Sequence, residues 1–212
     1  MLSLINLSVS DRRKTVISHL HAVFAGGYTH GLFASDTALL RPLLECIAGQ
    51  RSRYTGSILY NDAPLVKQDV TYTNCRSIKA PPENRMPESV FVRPGSVAGK
   101  PPFSRLTPPG SGLLPSHADP TIDFSKKVLL LHDLRTTMLS DACATLPDQL
   151  RQHAIPGGRT VLISSHDYQA LRDTCDYIYL FDKKRFPIVV EKADFTQFDD
   201  YFRNVFRSHR PY

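Results

Sequence analysis

Val128-Leu129-Leu130-Leu131-His132-Asp133 and Arg159-Thr160-Val161-Leu162-Ile163-Ser164-Ser165-His166-Asp167 together decide the fold of this chain. Each is a short apolar run with polar groups at its C-terminal end. Runs apolar at consecutive positions belong to strands covered on both faces, which is the condition of a parallel sheet flanked by helices. Open sheets of that kind place their chemistry outside the carboxyl ends of the strands. The pair therefore predicts an α/β domain, with His132, Asp133, Ser164, Ser165 and His166 gathered at one sheet edge.

Working outward, Leu2–Val9 alternates apolar and polar residues, and Thr15–Phe24 resumes the pattern after the charged turn Asp11-Arg12-Arg13-Lys14. Both read as antiparallel strands. Thr29–Asp36 reads as a short strand into a turn. A helix follows with Leu39, Leu40, Leu43, Leu44 and Ile47 at helical spacing, Gly49 as its stop and Ser35 or Asp36 as its cap. Pro42 fits that helix when it starts late, near Arg41. Gly56–Leu65 reads as strand, tight turn, strand. After the strand 128–132 come a helix around Asp141–His153, a turn at Pro156-Gly157-Gly158 and the strand 160–164. A helix near 167–175 and apolar strands at Tyr177–Phe181 and Pro187–Glu191 complete the order, and Asp194–Arg207 is an aromatic, basic amphipathic helix.

Composition sets the bounds. The 212 residues suffice for one α/β domain. Ten of the 16 prolines fall between Pro81 and Pro120, where no apolar period survives. That segment reads as an irregular linker. The expected division is 1–80 and 124–192 as two parts of one core, 81–123 as the proline-rich insert and 193–212 as the basic helix. No apolar run is long enough to span a bilayer, and Met1-Leu2-Ser3-Leu4 lacks the features of a secretory signal. Cys46, Cys75, Cys143 and Cys175 show no metal-binding spacing, and three of them lie in apolar surroundings and are expected as reduced core residues of a cytosolic protein. A net charge of +6 without a basic and aromatic stripe argues against nucleic acid as partner.

The order of these parts resembles the nucleotide-binding domain of ATP-binding cassette (ABC) transporters over roughly 1–72 and 124–192. The resemblance rests on the hairpin Gly56-Ser57-Ile58-Leu59-Tyr60-Asn61-Asp62-Ala63-Pro64-Leu65, the strand ending His132-Asp133, the Ser164-Ser165-His166-Asp167 run and Cys175-Asp176 before an apolar strand. It implies an α/β, P-loop NTPase core of ABC-ATPase type with antiparallel edge strands. The helical subdomain is expected to be missing or replaced by the proline-rich loop.

The family's catalytic parts are mostly lost. A phosphate loop needs glycines whose N–H groups wrap the phosphates, a Lys, and a Ser or Thr for Mg²⁺. The resemblance places Gly31, Ser35 and Thr37 in a vestigial version of that loop, with no Lys and with Asp36 where phosphate should sit. Gly95-Ser96-Val97-Ala98-Gly99-Lys100 has a Gly-Lys pair but too few residues between its glycines, and Pro101 follows. Asp133 stands at the place of the family's metal carboxylate or catalytic base, and His166 at that of its switch histidine. Asp141 lies near the place of a dimer-contacting Asp. Asp11 and Arg12 occupy the adenine-stacking position, and only Arg41 and Arg51 are near enough to replace the lost Lys.

The expected function is a degenerate, non-hydrolysing cassette domain. It would act as a regulatory or scaffold subunit of a membrane-associated transport or secretion assembly of a bacterial envelope. The alternative is a working ATP-binding subunit with an atypical site, for which ATP and Mg²⁺ would be the cofactors; the leading reading needs none, and no metal ligands are expected. The implied partner is an integral membrane component or another subunit. Localisation is expected to be cytoplasmic, peripheral to the inner face of the membrane. The proline-rich segment and the C-terminal helix, with Phe195, Phe198, Tyr201, Phe202 and Phe206, are the candidate contact surfaces; for the helix, packing of its apolar face on the sheet is the preferred alternative.

Overall fold

A computed structural model describes residues 1–11, 14–34, 39–75, 122–135, 146–181 and 187–199. Ser35, Asp36, Thr37, Arg12, Gly95–Lys100, Asp141, Cys143, almost all of the 81–123 insert and the end of the C-terminal helix lie outside the described residues.

Among the described residues the central sheet has six strands, in the order β10-β9-β3-β8-β7-β6. These are β3 (Tyr28–Ala34), β6 (Val70–Asn74), β7 (Val128–His132), β8 (Thr160–Ser165), β9 (Tyr177–Phe181) and β10 (Ile188–Glu191). All neighbours pair in parallel except β10, which runs antiparallel to β9. The two runs that decide the fold are adjacent strands, registered from Val128 opposite Thr160 to His132 opposite Ser164. Their side chains alternate between two cores. Val128, Leu130 and Leu162 face one, while Leu129, Leu131, Val161 and Ile163 face the other, and all seven are fully buried.

The first core is closed by an antiparallel sheet and α1 (Leu40–Ile47). That sheet has the order β2-β1-β4-β5, from β1 (Leu2–Asp11), β2 (Lys14–Phe24), β4 (Tyr54–Tyr60) and β5 (Ala63–Pro64). α1 buries Leu40, Leu43, Leu44 and Ile47, and starts late enough for Pro42 to lie in its first turn. The second core is closed by α2 (Leu146–Gln149), the π-helical turn Leu150–Ala154 that continues it, and α3 (Tyr168–Thr174). In that turn the Ile155 amide reaches back five residues to the Leu150 carbonyl at 3.1 Å.

β6 was not expected from sequence. Its Val-Thr-Tyr-Thr-Asn lacks an apolar run because it is the sheet's outer strand and only half-buried. The described start of the C-terminal helix takes the packing alternative. Phe195 is 3 % exposed and Phe198 packs on the second core, with Arg172 paired to Asp199. These two aromatic residues therefore serve the interior and are not contact surface. Cys46, Cys75 and Cys175 are buried free thiols.

An ion-pair chain ties α1 to the end of β1. Arg51 binds Asp11 and Glu45, each at 2.8 Å, and Arg41 binds Glu45 at 2.7 Å. Burial alone would push the Glu45 carboxyl up, but the hydrogen bonds from Arg41 and Arg51 prevail and lower it. The β4–β5 hairpin turns at Asn61-Asp62, both at positive φ (49° and 64°), the backbone that matches strand twist in a two-residue loop.

Gly56 has φ +95°, and a Cβ there would sit 2.4 Å from the Asn6 carbonyl oxygen and 2.6 Å from that of Ile5. Both atoms are backbone in the paired strand and have nowhere to go. Gly56→Ala is expected to destabilise the fold by about 2–4 kcal/mol, read from denaturant unfolding, against less than about 1 kcal/mol for Gly158→Asn, where nothing lies within 4 Å of the added carbon.

Candidate functional site

At the C-terminal edge of the sheet, β7 and β8 deliver their polar ends side by side. His132 closes β7, and its Nδ1 lies 2.7 Å from Ser164 Oγ. The same hydroxyl oxygen accepts the Asp133 amide at 3.3 Å. The His132 ring lies nearly parallel to Tyr72 of β6, with centroids 6.3 Å apart. Asp133 then takes the left-handed conformation, φ +62°, which Asp tolerates better than most side chains. Past that turn, the Leu134 amide donates to the Ser164 carbonyl at 3.1 Å.

The Ser164-Ser165-His166-Asp167 run has a structural task at every position. Ser165 Oγ donates to the Leu134 carbonyl and accepts the Asp167 amide. Asp167 caps α3, accepting the Gln169 amide at 3.1 Å and the Ala170 amide at 3.3 Å. His166 Nδ1 lies 2.9 Å from Asp133 Oδ1, and Arg135 Nη2 lies 3.5 Å from Asp133 Oδ2. Asp133 is only 4 % exposed, whereas the His166 and Arg135 side chains are 40 % and 41 % exposed. A carboxylate only accepts, so His166 Nδ1 carries the proton and Nε2 is the ring atom left for other chemistry.

The structure thus brings Asp133 and His166 together. Gly31 does not join them. It lies inside β3, opposite Ile163 and Ile178. A Cβ there would meet Cys175 Sγ at 3.0 Å and Ile178 and Leu171 at 3.3 Å, so the missing side chain lets α3 and β9 approach. Its position is in the strand, not in the loop that follows. Arg41 and Arg51 are taken up by Glu45 and Asp11, which removes them as spare cations for phosphate.

A Mg²⁺ ion requires several oxygen ligands in octahedral array. The donors here do not fit it, because the Asp133 carboxylate faces a guanidinium and an imidazole N–H. Among the described residues no group of three or more His, Cys, Asp or Glu is arranged to hold a metal. A separate cavity of about 240 Å³ lies between α1 and the β4–β5 hairpin, lined by Ile47, Ile58, Leu65 and Lys67 among others, and none of the described candidate residues borders it.

Arg135 escaped the sequence reading, and Ser164 was placed at the sheet edge without a role. That role could have been found by aligning the ends of the two strands, which sets Ser164 opposite His132. Arg135 carries no pattern, since its contact depends on the left-handed turn at Asp133.

No family model matches the chain, and no curated protein matches it by sequence. Among solved structures, the CbiO1 protein of Clostridium perfringens, part of the ABC transporter complex CbiONQ, is similar with a TM-score of 0.61 at 12% identity, over 96% of this chain and 93% of that one. An ATP-binding subunit of an ABC transporter is similar with a TM-score of 0.57 at 14% identity, over 96% of this chain and 92% of that one. The chain has the fold of an ABC nucleotide-binding domain, with a mixed α/β core.

Removing one hydroxyl tests the network. Ser164→Ala leaves the Asp133 amide and His132 without their shared partner, and is expected to cost about 1–3 kcal/mol in denaturant unfolding. Asp133→Asn, which keeps tolerance of positive φ, is expected to be about 1 kcal/mol more stable than Asp133→Ala.

Proposed function

We propose that this chain is a degenerate ABC-type cassette domain that does not hydrolyse ATP and serves as a regulatory or scaffold subunit of a membrane-associated transport or secretion assembly. The observation that carries the reading is the state of Asp133. Hydrolysis in this fold class requires a carboxylate for the metal shell and a base to polarise water. Asp133 is buried and engaged by His166 and Arg135, and His132 beside it is turned to Ser164. Neutralised from within, this edge is a structural joint between β7 and α3.

No helix among the described residues is long and apolar enough to cross a membrane. Both similar structures are described as ABC transporter components, one within a complex. By analogy, the partner is a membrane component or another subunit of such an assembly, and the domain works at the inner membrane face. The proline-rich insert 81–123 is the proposed contact segment.

A second reading, an unorthodox ATP-binding subunit, is favoured by one feature. The Asp133–His166 pair orients an imidazole with Nε2 unclaimed by the carboxylate, the arrangement of a general base held in one tautomer. There, His166 would take a proton from water at Nε2 while Asp133 steadied the resulting charge.

Phosphate release from Mg-ATP, with calorimetric titration of the nucleotide, separates the two. Background turnover unchanged by His166→Ala is the expected result. Turnover abolished by that substitution, with micromolar nucleotide binding, overturns the proposal.

A further inference from the structure

We propose that His30 is an acid-sensitive latch between the two sheets: neutral, it holds the end of β2 against β3 and β9, and once protonated it releases them. His30 lies in β3 and is 1 % exposed. Its Nε2 donates to the Ala25 carbonyl at 2.9 Å, one residue beyond the end of β2. Three rings enclose it: Phe24 edge-on at 5.4 Å, Tyr179 at 5.8 Å and Tyr177 stacked at 5.5 Å. Tyr179 doubles the clamp, packing on Phe24 at 4.7 Å and donating its hydroxyl to the Val23 carbonyl at 2.9 Å. The last residues of β2 are therefore held from the central sheet by His30 and Tyr179 together.

The tautomer follows from the partner. A carbonyl only accepts, so Nε2 carries the hydrogen and neutral His30 keeps a lone pair at Nδ1. Nδ1 is buried with no hydrogen-bond partner among the described residues. Protonation would place a charged donor there with no acceptor, which a buried site resists strongly.

The surrounding elements do little to offset this. β2 brings Phe24 and the Ala25 carbonyl, and β9 brings two phenols, with Glu191 of β10 paired opposite Tyr177. Burial pushes the Tyr179 phenol up to about 12, so it stays neutral in acid. Asp176 is the carboxylate that favours the charged imidazole, but its Oδ2 already accepts the Thr29 amide at 2.9 Å and the Thr29 hydroxyl at 2.7 Å. Burial therefore prevails over the Ala25 bond and Asp176, and holds His30 below its ordinary range. With the folded value below the unfolded one of about 6.5, the unfolded or opened chain binds the extra proton. The latch is fully closed above that pH and weakens as pH falls below it.

Amide hydrogen exchange at pH 7 and pH 5, corrected for intrinsic rates, tests this on the full chain and on His30→Gln. The Gln amide can still donate to Ala25 but does not titrate. In the parent chain, protection over 20–34 is expected to fall about tenfold or more between the two pH values, and the variant is expected to lack that fall. Equal falls in both proteins, or none in the parent, overturn the proposal. Should His30→Gln fail to fold, the imidazole is followed by NMR in the parent chain. A folded-state midpoint at or above about 6.5 overturns the latch, and an imidazole neutral down to the onset of opening supports it.

Discussion

β7 and β8 are covered on both faces, so a polar side chain within them cannot reach water by turning outward. This constraint sorts the two runs. Alternate residues of β7 and β8 enter two different cores, one roofed by the antiparallel sheet and α1, the other by α2 and α3. Polar groups are displaced to the strand ends, where they must be paired with one another or with backbone. His132, Ser164, Ser165 and Asp133 lie there because the sheet interior excludes them, and their mutual hydrogen bonds follow from being crowded onto one edge.

That crowding explains why the edge is built as a joint. Ser164 serves two neighbours, Ser165 serves two more, and Asp167 spends its carboxylate on the first turn of α3. Asp133 enters the same network through a left-handed turn and is flanked by a cation and an imidazole. A side chain with this many fixed partners is pre-organised, and it ties strands and helix together at this edge.

Much of the fold was legible because burial on two faces leaves a strong signal. Val128–His132 was read with the bounds it has, and the hairpin through Asn61-Asp62 declared itself by its turn residues. β6 was invisible for the converse reason: an outer strand half-covered by its neighbours needs no apolar run, and Thr71-Tyr72-Thr73 satisfies it. The site was legible in part. Asp133 and His166 stood out as polar groups at strand ends, yet their pairing depends on a positive φ that no local pattern encodes. Gly31 was misplaced by one element, because a glycine needed for close packing and one needed to wrap a phosphate look alike in sequence. Phe195 and Phe198 fitted either a contact face or an apolar face packed on the sheet, and the packing is what is observed, on the second core.

Among the described residues β2 is the outer strand of the antiparallel sheet, and its pairing with β1 slips three times, between Leu4 and Leu7, Leu7 and Val9, and Val9 and Ser10. Two of these irregularities involve non-glycine residues in the left-handed region, Asn6 and His19, whose side chains bond each other at 2.8 Å and so fix the distortion in place. An edge so interrupted no longer presents evenly spaced amides and carbonyls along its free side. A strand from another molecule could match only a few of them before losing step. The bulges thus guard the chain against joining its copies edge to edge, a form of solubility written into backbone geometry rather than into surface charge.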